Sequence, residues 1–551
     1  MLWLFLSVSL FFHFTDLHPN KYIVVGSGIS GCIVAHTLQQ LGCDVTVLET
    51  GSKVIPEKDT AHAMPLEERL QQENQHSFFI GKNAEALGRQ VHPNIAHQTP
   101  QRIGVTNRSK LLTPIVSENF FPVEASAYGG LGNAWGLGSY AFSPQELQQC
   151  GLDAQQIQDG YKHVASLIGI SGDVHDDGSV YCHNNLFDVQ ASLPLNACMQ
   201  SMMRIYEAKR RQCQNQGIHI GRSSLALLTQ DLGVRKASKQ YDDDFYTNTN
   251  NAAFRPNVML DELQAQGKVK VLYNLQAHEI KEIEGQCHVS CYDLHAQQFI
   301  QLVADKVILC GGALSTARIL QASLQIEQRL PVLCNAYSYI AATHYPFIGK
   351  ISGTPFSSLA QLNAFIDKDG QHSHVAMASI YNYRALLNFR LIQQMPLAAK
   401  FGIQLTKYLQ PSFVIAGLFH PANYEEQNFV QLSKTDLPHL GLHAHYSYSE
   451  KLEREFARND NLMCSTLKQL KCLVLKKMRT PSGGSIHYAG TVPFTNVEAP
   501  INLLPNGKVE KMSHVFVGDA SGFTFLPGKG LSLTIMANAY RVAKESVYSN
   551  A

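Results

Sequence analysis

The run Tyr22-Ile-Val-Val-Gly26 is apolar without interruption. Such a run predicts a strand buried on both faces, as in a parallel sheet. From Cys32 to Leu41 the apolar residues recur at helical spacing, and Gly42 is a stop signal. Asp44-Val-Thr-Val-Leu48 predicts a second strand. The same strand-turn-helix device returns in Val307-Ile-Leu-Cys-Gly-Gly312, with a helix expected near Ser315. The runs before it, Val269 to Leu272 and His278 to Ile283, predict a β-meander feeding back into the first sheet. Near the C-terminus, Asn506-Gly507 marks a turn. His514-Val-Phe-Val-Gly-Asp519 predicts a further strand, and a terminal helix follows from about Leu531. Strands alternating with helices predict an α/β fold with a central parallel sheet.

Composition narrows the class. The chain has 551 residues, with 45 Lys and Arg against 44 Asp and Glu. That balance supplies no basic field for nucleic acid and no acidic tail. There are twelve cysteines but no C-x-x-C spacing. Cys32 and Cys310 sit in apolar runs, and Cys287 and Cys291 point the same way on an alternating segment without a second pair, so reduced thiols are expected. Met1 to Phe14 is strongly apolar but shorter than the roughly 20 residues a bilayer span needs. The first Lys or Arg is Lys21, so the positive region of a signal peptide is lacking. Three readings of residues 1–19 stay open: an uncharged signal or anchor, a peripheral membrane contact, or residues upstream of the true start.

The loop Gly26-Ser-Gly28-Ile-Ser-Gly31 carries the first chemistry. Gly26 permits a tight turn, Gly28 lets backbone approach a pyrophosphate, and Gly31 lets helix and strand pack closely. The following helix N-terminus offers free N–H groups and a positive dipole end. Glu49 stands 23 positions after Gly26, within reach of a ribose hydroxyl, and its charge disfavours a 2′-phosphate. This unit alone is compatible with FAD or NAD. Gly129-Gly-Leu-Gly-Asn-Ala-Trp-Gly136 places four glycines in eight residues, a sign of close backbone approach, with Trp135 either at a ligand or in the core.

A fourth segment, Gly484-Ser-Ile-His487-Tyr-Ala-Gly490-Thr491, precedes Gly518-Asp519 and Leu526-Pro-Gly-Lys-Gly530-Leu531. With these four segments in this order, the chain resembles the glucose–methanol–choline (GMC) family of FAD-dependent oxidoreductases; residues 330–480 match only loosely. The resemblance implies a Rossmann-like FAD-binding domain from 20–175, 245–325 and 485–551, and a mixed-sheet substrate domain from 176–244 and 326–484. It implies that Gly26, Gly28, Gly31 and Glu49 hold the ADP part of FAD, and that Gly130 and Asn133 lie along the pyrophosphate and flavin. Asp519 would touch the pyrophosphate or ribityl chain, and the helix from Leu531 would aim its N-terminus at the flavin pyrimidine. His487 matches the family's catalytic base.

Alcohol oxidation needs a base for the hydroxyl proton and an acceptor for the hydride, and histidine suits the first task. The family's second polar partner falls eleven residues after the Asp, which here is Gly530, without a side chain. Lys529 is a candidate donor or positive charge in its place; the alternative is a lysine pointing to solvent. The expected function is oxidation of the CH–OH group of an alcohol, sugar or sterol-like small molecule, passing electrons to oxygen, a quinone or a carrier. The alternatives are a flavin-binding protein with little turnover, and a flavoprotein dehydrogenase acting on another donor.

Other features read more plainly. His439, His443 and His445 lack ligand-spaced Cys or carboxylates, so a polar strand face is expected, followed by a helix capped at Ser449. His175-Asp-Asp-Gly178 and Asp242 to Asp244 read as solvated loops. Leu391 to Leu409 reads either as a helix packed on its own sheet or as a segment dipping into a membrane.

Overall fold

Alternate burial and apolar runs decide where each strand goes. A computed structural model of the chain describes residues 20–53, 105–106, 112–238, 248, 250–350, 359–382, 398–433 and 438–549. Lys21–Val25, almost wholly buried, is the central strand of a five-stranded sheet. It pairs in parallel with Asp44–Leu48 on one side and Lys306–Leu309 on the other. Lys270–Leu272 and Val515–Val517 complete the two edges, also parallel. The expectation for Val269 to Leu272 is therefore corrected. This run extends the parallel sheet beside Asp44–Leu48, and the meander is built only from Leu275–Ile283, Gln286–Asp293 and Gln298–Ala304. A three-residue edge strand is too short for its pattern to separate the two. The helix expected near Ser315 spans Ala313–Leu324.

Behind this sheet the helices Ile29–Gln40, Ala154–Ile168 and Ser532–Tyr548 pack together in one large apolar core. A second, six-stranded antiparallel sheet runs in the order Cys472–Arg479, Tyr337–His344, Phe413–Phe419, Ala376–Asn382, Leu362–Ile366, Ile218–Arg222. One of its faces buries Ile340, Ala342, Val414, Ala416 and Leu418 against the helices Ala197–Gln214 and Glu450–Gln469. The alternate positions turn the other way. The fold class is as expected: α/β, with a parallel sheet, a meander and a mixed second region.

One loop expectation changes. His175 to Gly178 is not simply a solvated loop. Asp176 accepts from the Gly178, Ser179 and Arg222 backbone N–H groups, and Asp177 accepts from the Tyr206 hydroxyl at 2.6 Å. These carboxylates pin the loop to the strand Ile218–Arg222. His443 and His445 do lie on a strand, Gly441–His445, and no metal-holding cluster occurs among the described residues. Residues 1–19, 242–244 and 391–397 lie outside the described residues. The helix Ala399–Leu409 leaves Phe401 and Tyr408 more than half exposed, so it does not bury its whole apolar face on the sheet. No helix among the described residues is long and apolar enough to cross a membrane.

Candidate active site

A cleft of about 450 Å3 lies where the carboxyl ends of the central strands meet the second sheet. Ligands of open α/β sheets bind at this position, outside the strand ends. Gly26, Gly28, Glu49, Gly130, Asp519 and Leu531 all line it, and so does His487 on the opposite wall. Sequence positions nearly 500 residues apart are thus brought together by the parallel pairing of Lys21–Val25, Lys306–Leu309 and Val515–Val517.

The glycines differ in what they permit. Gly26 has φ 103°, and a Cβ there would sit 2.7 Å from the Cys310 carbonyl oxygen. A Cβ on Gly31 would lie 1.9 Å from the Gly26 oxygen, so this residue serves close helix–strand packing. Gly28 is different: a Cβ there would meet nothing within 4 Å. Its neighbour is Gly130, whose Cβ would come 3.3 Å from the Gly28 Cα. The two glycine backbones therefore pack closely side by side at the cleft, and only the Gly28 Cβ direction is open.

Three helices begin on this cleft: Ile29–Gln40, Ala313–Leu324 and Ser532–Tyr548. None has a side-chain cap at its first residue. Away from the cleft, Ser143, Asp153 and Asn196 cap the helices starting at Pro144, Ala154 and Ala197, whereas Pro256–Ala265 and Glu450–Gln469 start without a side-chain cap, so the cap expected at Ser449 does not form. Uncapped helix starts leave orphan N–H donors and a positive dipole end. Three of them on one cleft fit an elongated ligand with anionic or electron-rich groups, such as a dinucleotide.

Glu49 is buried. Its carboxylate accepts from the Ser27 hydroxyl and from the Gly51 N–H at 2.6 Å. The Ser27 oxygen in turn accepts from the Gly129 N–H at 2.8 Å, which ties the first glycine loop to the second. Burial pushes the Glu49 carboxyl up to about 7, against those hydrogen bonds. Asp519 is likewise buried, which raises its carboxyl. It accepts from Gly312 N–H at 2.9 Å and Thr316 Oγ1 at 2.6 Å on one oxygen, and from Ser521 on the other. It is a strut between two cleft loops as well as part of the lining.

Two expected site residues sit elsewhere. Asn133 turns away from the cleft: its amide donates to the Tyr128 carbonyl at 2.7 Å and packs over Gly129, while the backbone on either side forms the lining. Lys529 is neither in the lining nor in solvent. Its ammonium is buried, 2.8 Å from Glu146 and 3.2 Å from the Ala141 carbonyl. Position 530 faces Tyr140, 3.2 Å from where a Cβ would stand, so it too points away from the cleft. Trp135 does both jobs that were open for it: it lines the cleft and donates to the Phe254 carbonyl at 3.1 Å.

His487 follows Ile486, a β-branched residue at φ 60°. This conformation is strained and is held only by its surroundings. It sets the imidazole flat against Phe419, with ring centroids 4.6 Å apart. Nδ1 lies 3.1 Å from Asn335 Oδ1, and Nε2 carries no hydrogen bond to the described residues. The remaining exposure of the ring is to the cleft, and enclosure by protein lowers the imidazole to about 4, so it is neutral at neutral pH. Asn335, Phe419 and the buried Arg318–Glu124 pair (2.7 Å) in the lining had no motif to reveal them.

The architecture matches known proteins at two scales. The structure superimposes on pyridoxine 4-oxidase from Mesorbium loti with a TM-score of 0.58, covering 97% of this chain and 100% of that one, at 13% identity. The chain shares the fold of that oxidase. The expected Rossmann-type α/β architecture is thereby borne out. Residues 21–90 match the model of the pyridine nucleotide-disulphide oxidoreductase family. Over 55 residues the chain is 34% identical to dihydrolipoyl dehydrogenase of Bacillus subtilis (strain 168); this stretch is 10% of the chain and 12% of that enzyme. The family-model match includes the first strand-loop-helix unit, Lys21–Gln40.

Proposed function

We propose that this FAD-type oxidoreductase fold oxidises the CH–OH group of a small alcohol, with His487 as the base. The observation that carries the reading is the neutral imidazole on the cleft wall, opposite three uncapped helix starts. The residues fit FAD. Gly26, Gly28 and Gly130 would admit the pyrophosphate, with Gly31 serving the packing behind them, Glu49 would hold the ribose, and the start of Ser532–Tyr548 the electron-rich end of the ring. FAD, when bound, supplies the two-electron acceptor. The protein's own part is to hold the hydroxyl at His487, accept its proton at Nε2, and keep water out of the aromatic wall.

The second sheet narrows the substrate. On its three central strands the positions facing away from the helices run from Tyr337 and Tyr339 through Phe413, Ile415 and Phe419 to Met377 and Tyr381, none of them charged. Tyr337 stacks on Phe419 at 4.2 Å, and Phe419 on His487. Of these side chains Phe419 lines the cleft, and its ring beside His487 favours an apolar or aromatic alcohol over a sugar. The name of the pyridoxine oxidase neighbour is in keeping with that preference.

The test is anaerobic bleaching of the FAD-loaded protein by a panel of aromatic, aliphatic and sugar alcohols. Aromatic alcohols should bleach it fastest, and His487→Ala should keep the flavin while slowing bleaching by roughly 100-fold or more. Bound flavin with no bleaching by any alcohol would instead favour a flavin-binding protein with little turnover.

A further inference from the structure

His487 has two ring nitrogens, and in the neutral ring only one has a lone pair to take a proton. Which one is set by the partner of the other. The partner here is Asn335, and its own orientation is decided by what surrounds it. An amide oxygen and nitrogen have nearly the same shape, so contacts must distinguish them. Asn335 Nδ2 donates to the His420 carbonyl at 2.7 Å and to the Pro527 carbonyl at 3.1 Å. Both are acceptors only. A flipped amide would set its oxygen against two carbonyl oxygens in a fully buried place, which costs both hydrogen bonds and adds repulsion. Oδ1 must therefore face His487 Nδ1. Because Oδ1 only accepts, Nδ1 must carry the hydrogen, and the lone pair is left on Nε2.

The place of Asn335 in the fold makes this arrangement rigid. It follows the short strand Leu333–Cys334, which pairs with Tyr488–Ala489 directly after His487. His420 follows the strand Phe413–Phe419, and Pro527 belongs to the loop that leads to the terminal helix. One amide thus joins the histidine loop, the substrate-facing sheet and the loop bearing Lys529. No charged side chain contributes to the environment of the imidazole; burial alone lowers it.

We propose that Asn335 is a positioning residue that locks His487 as the Nδ1–H tautomer and presents Nε2 to the cleft as the proton acceptor. This rests on His487 being the base. Because Asn335 is neutral, it orients the ring without stabilising its protonated form, unlike a carboxylate in the same place.

The direct test needs no substitution. In protein labelled with 15N-histidine, the His487 resonances, identified by their loss in His487→Gln, should show hydrogen on Nδ1 and a free Nε2, with or without FAD. Asn335→Leu should give an Nε2–H or mixed tautomer and slow alcohol bleaching roughly 10-fold to 100-fold, with the flavin spectrum retained. A purely structural role would move none of the tautomer signals. Hydrogen on Nε2 in the unaltered protein, or Asn335→Leu bleaching within twofold of it, would overturn the proposal. If His487→Ala itself bleaches normally, the base assignment fails; if only Asn335→Leu is silent, the base assignment stands without this residue.

Discussion

Gly28 and Gly31 lie three residues apart in one loop, yet they should fail in opposite ways when replaced by alanine. At Gly31 the new Cβ would stand 1.9 Å from the Gly26 carbonyl oxygen, itself backed by Cys310. Alanine gains about 1 kcal/mol of helix propensity there. Moving two backbone segments apart in a packed core costs about 3 kcal/mol or more. The apo protein should lose about 2 kcal/mol net, about 2 °C in Tm for a chain of this size. At Gly28 the backbone is already extended, at φ −68° and ψ −166°, and the Cβ meets no atom within 4 Å. Loss of a good N-cap residue costs about 1 kcal/mol, partly offset by a less flexible unfolded chain, so apo stability should change by less than about 1 kcal/mol. FAD binding is where Gly28→Ala should fail, since the methyl occupies the approach of the pyrophosphate. A tenfold loss of affinity is about 1.4 kcal/mol. At FAD of 100 times the original Kd, the stabilisation by ligand would fall from about 2.7 to about 1.4 kcal/mol. Thermal unfolding of apo protein, together with quenching of FAD fluorescence on titration, reads both numbers. Gly28→Ala binding FAD with undiminished affinity would refute the placement of the pyrophosphate. Gly31→Ala as stable as the original would refute the packing role.

Two further outcomes are expected. With His487 lowered to about 4 by burial, alcohol bleaching should be flat from about pH 6 upward, with its acid limb near 4; an acid limb at 6.5 or above would show an imidazole open to water. The same shift stabilises the fold fully above about 6.5, the unfolded value, and this contribution fades as pH falls towards 4. Lys529→Met should destabilise the protein by about 3–5 kcal/mol in thermal or urea unfolding, because Glu146 is left buried without its partner. Adding Glu146→Gln should restore much of this, and a change in bleaching rate beyond about threefold in that double variant would return Lys529 to the chemistry.

Much of the cofactor site was legible because its signals are local. Gly26, Gly28 and Gly31 must be small where backbone approaches backbone or ligand, and the flanking apolar runs follow from burial on both sheet faces. Glu49 and Asp519 stand at strand ends, a place that pattern alone identifies. Asn133 and Lys529 misled because a residue's place in a loop does not say which way its side chain turns. Asn133 folds back on Tyr128, and Lys529 is drawn to Glu146 nearly 400 residues earlier in the chain.

The sequence by itself therefore determined the α/β class and the glycine-rich loop, since each is written in the spacing of neighbours, while His487 came from the family resemblance. Only the tertiary structure decided that Lys270–Leu272 extends the parallel sheet, that Phe419 stacks on His487, and that Asn335 meets it. Those facts depend on strands paired across long separations, where burial and hydrogen-bond satisfaction of the whole molecule select one arrangement and no short pattern records the choice.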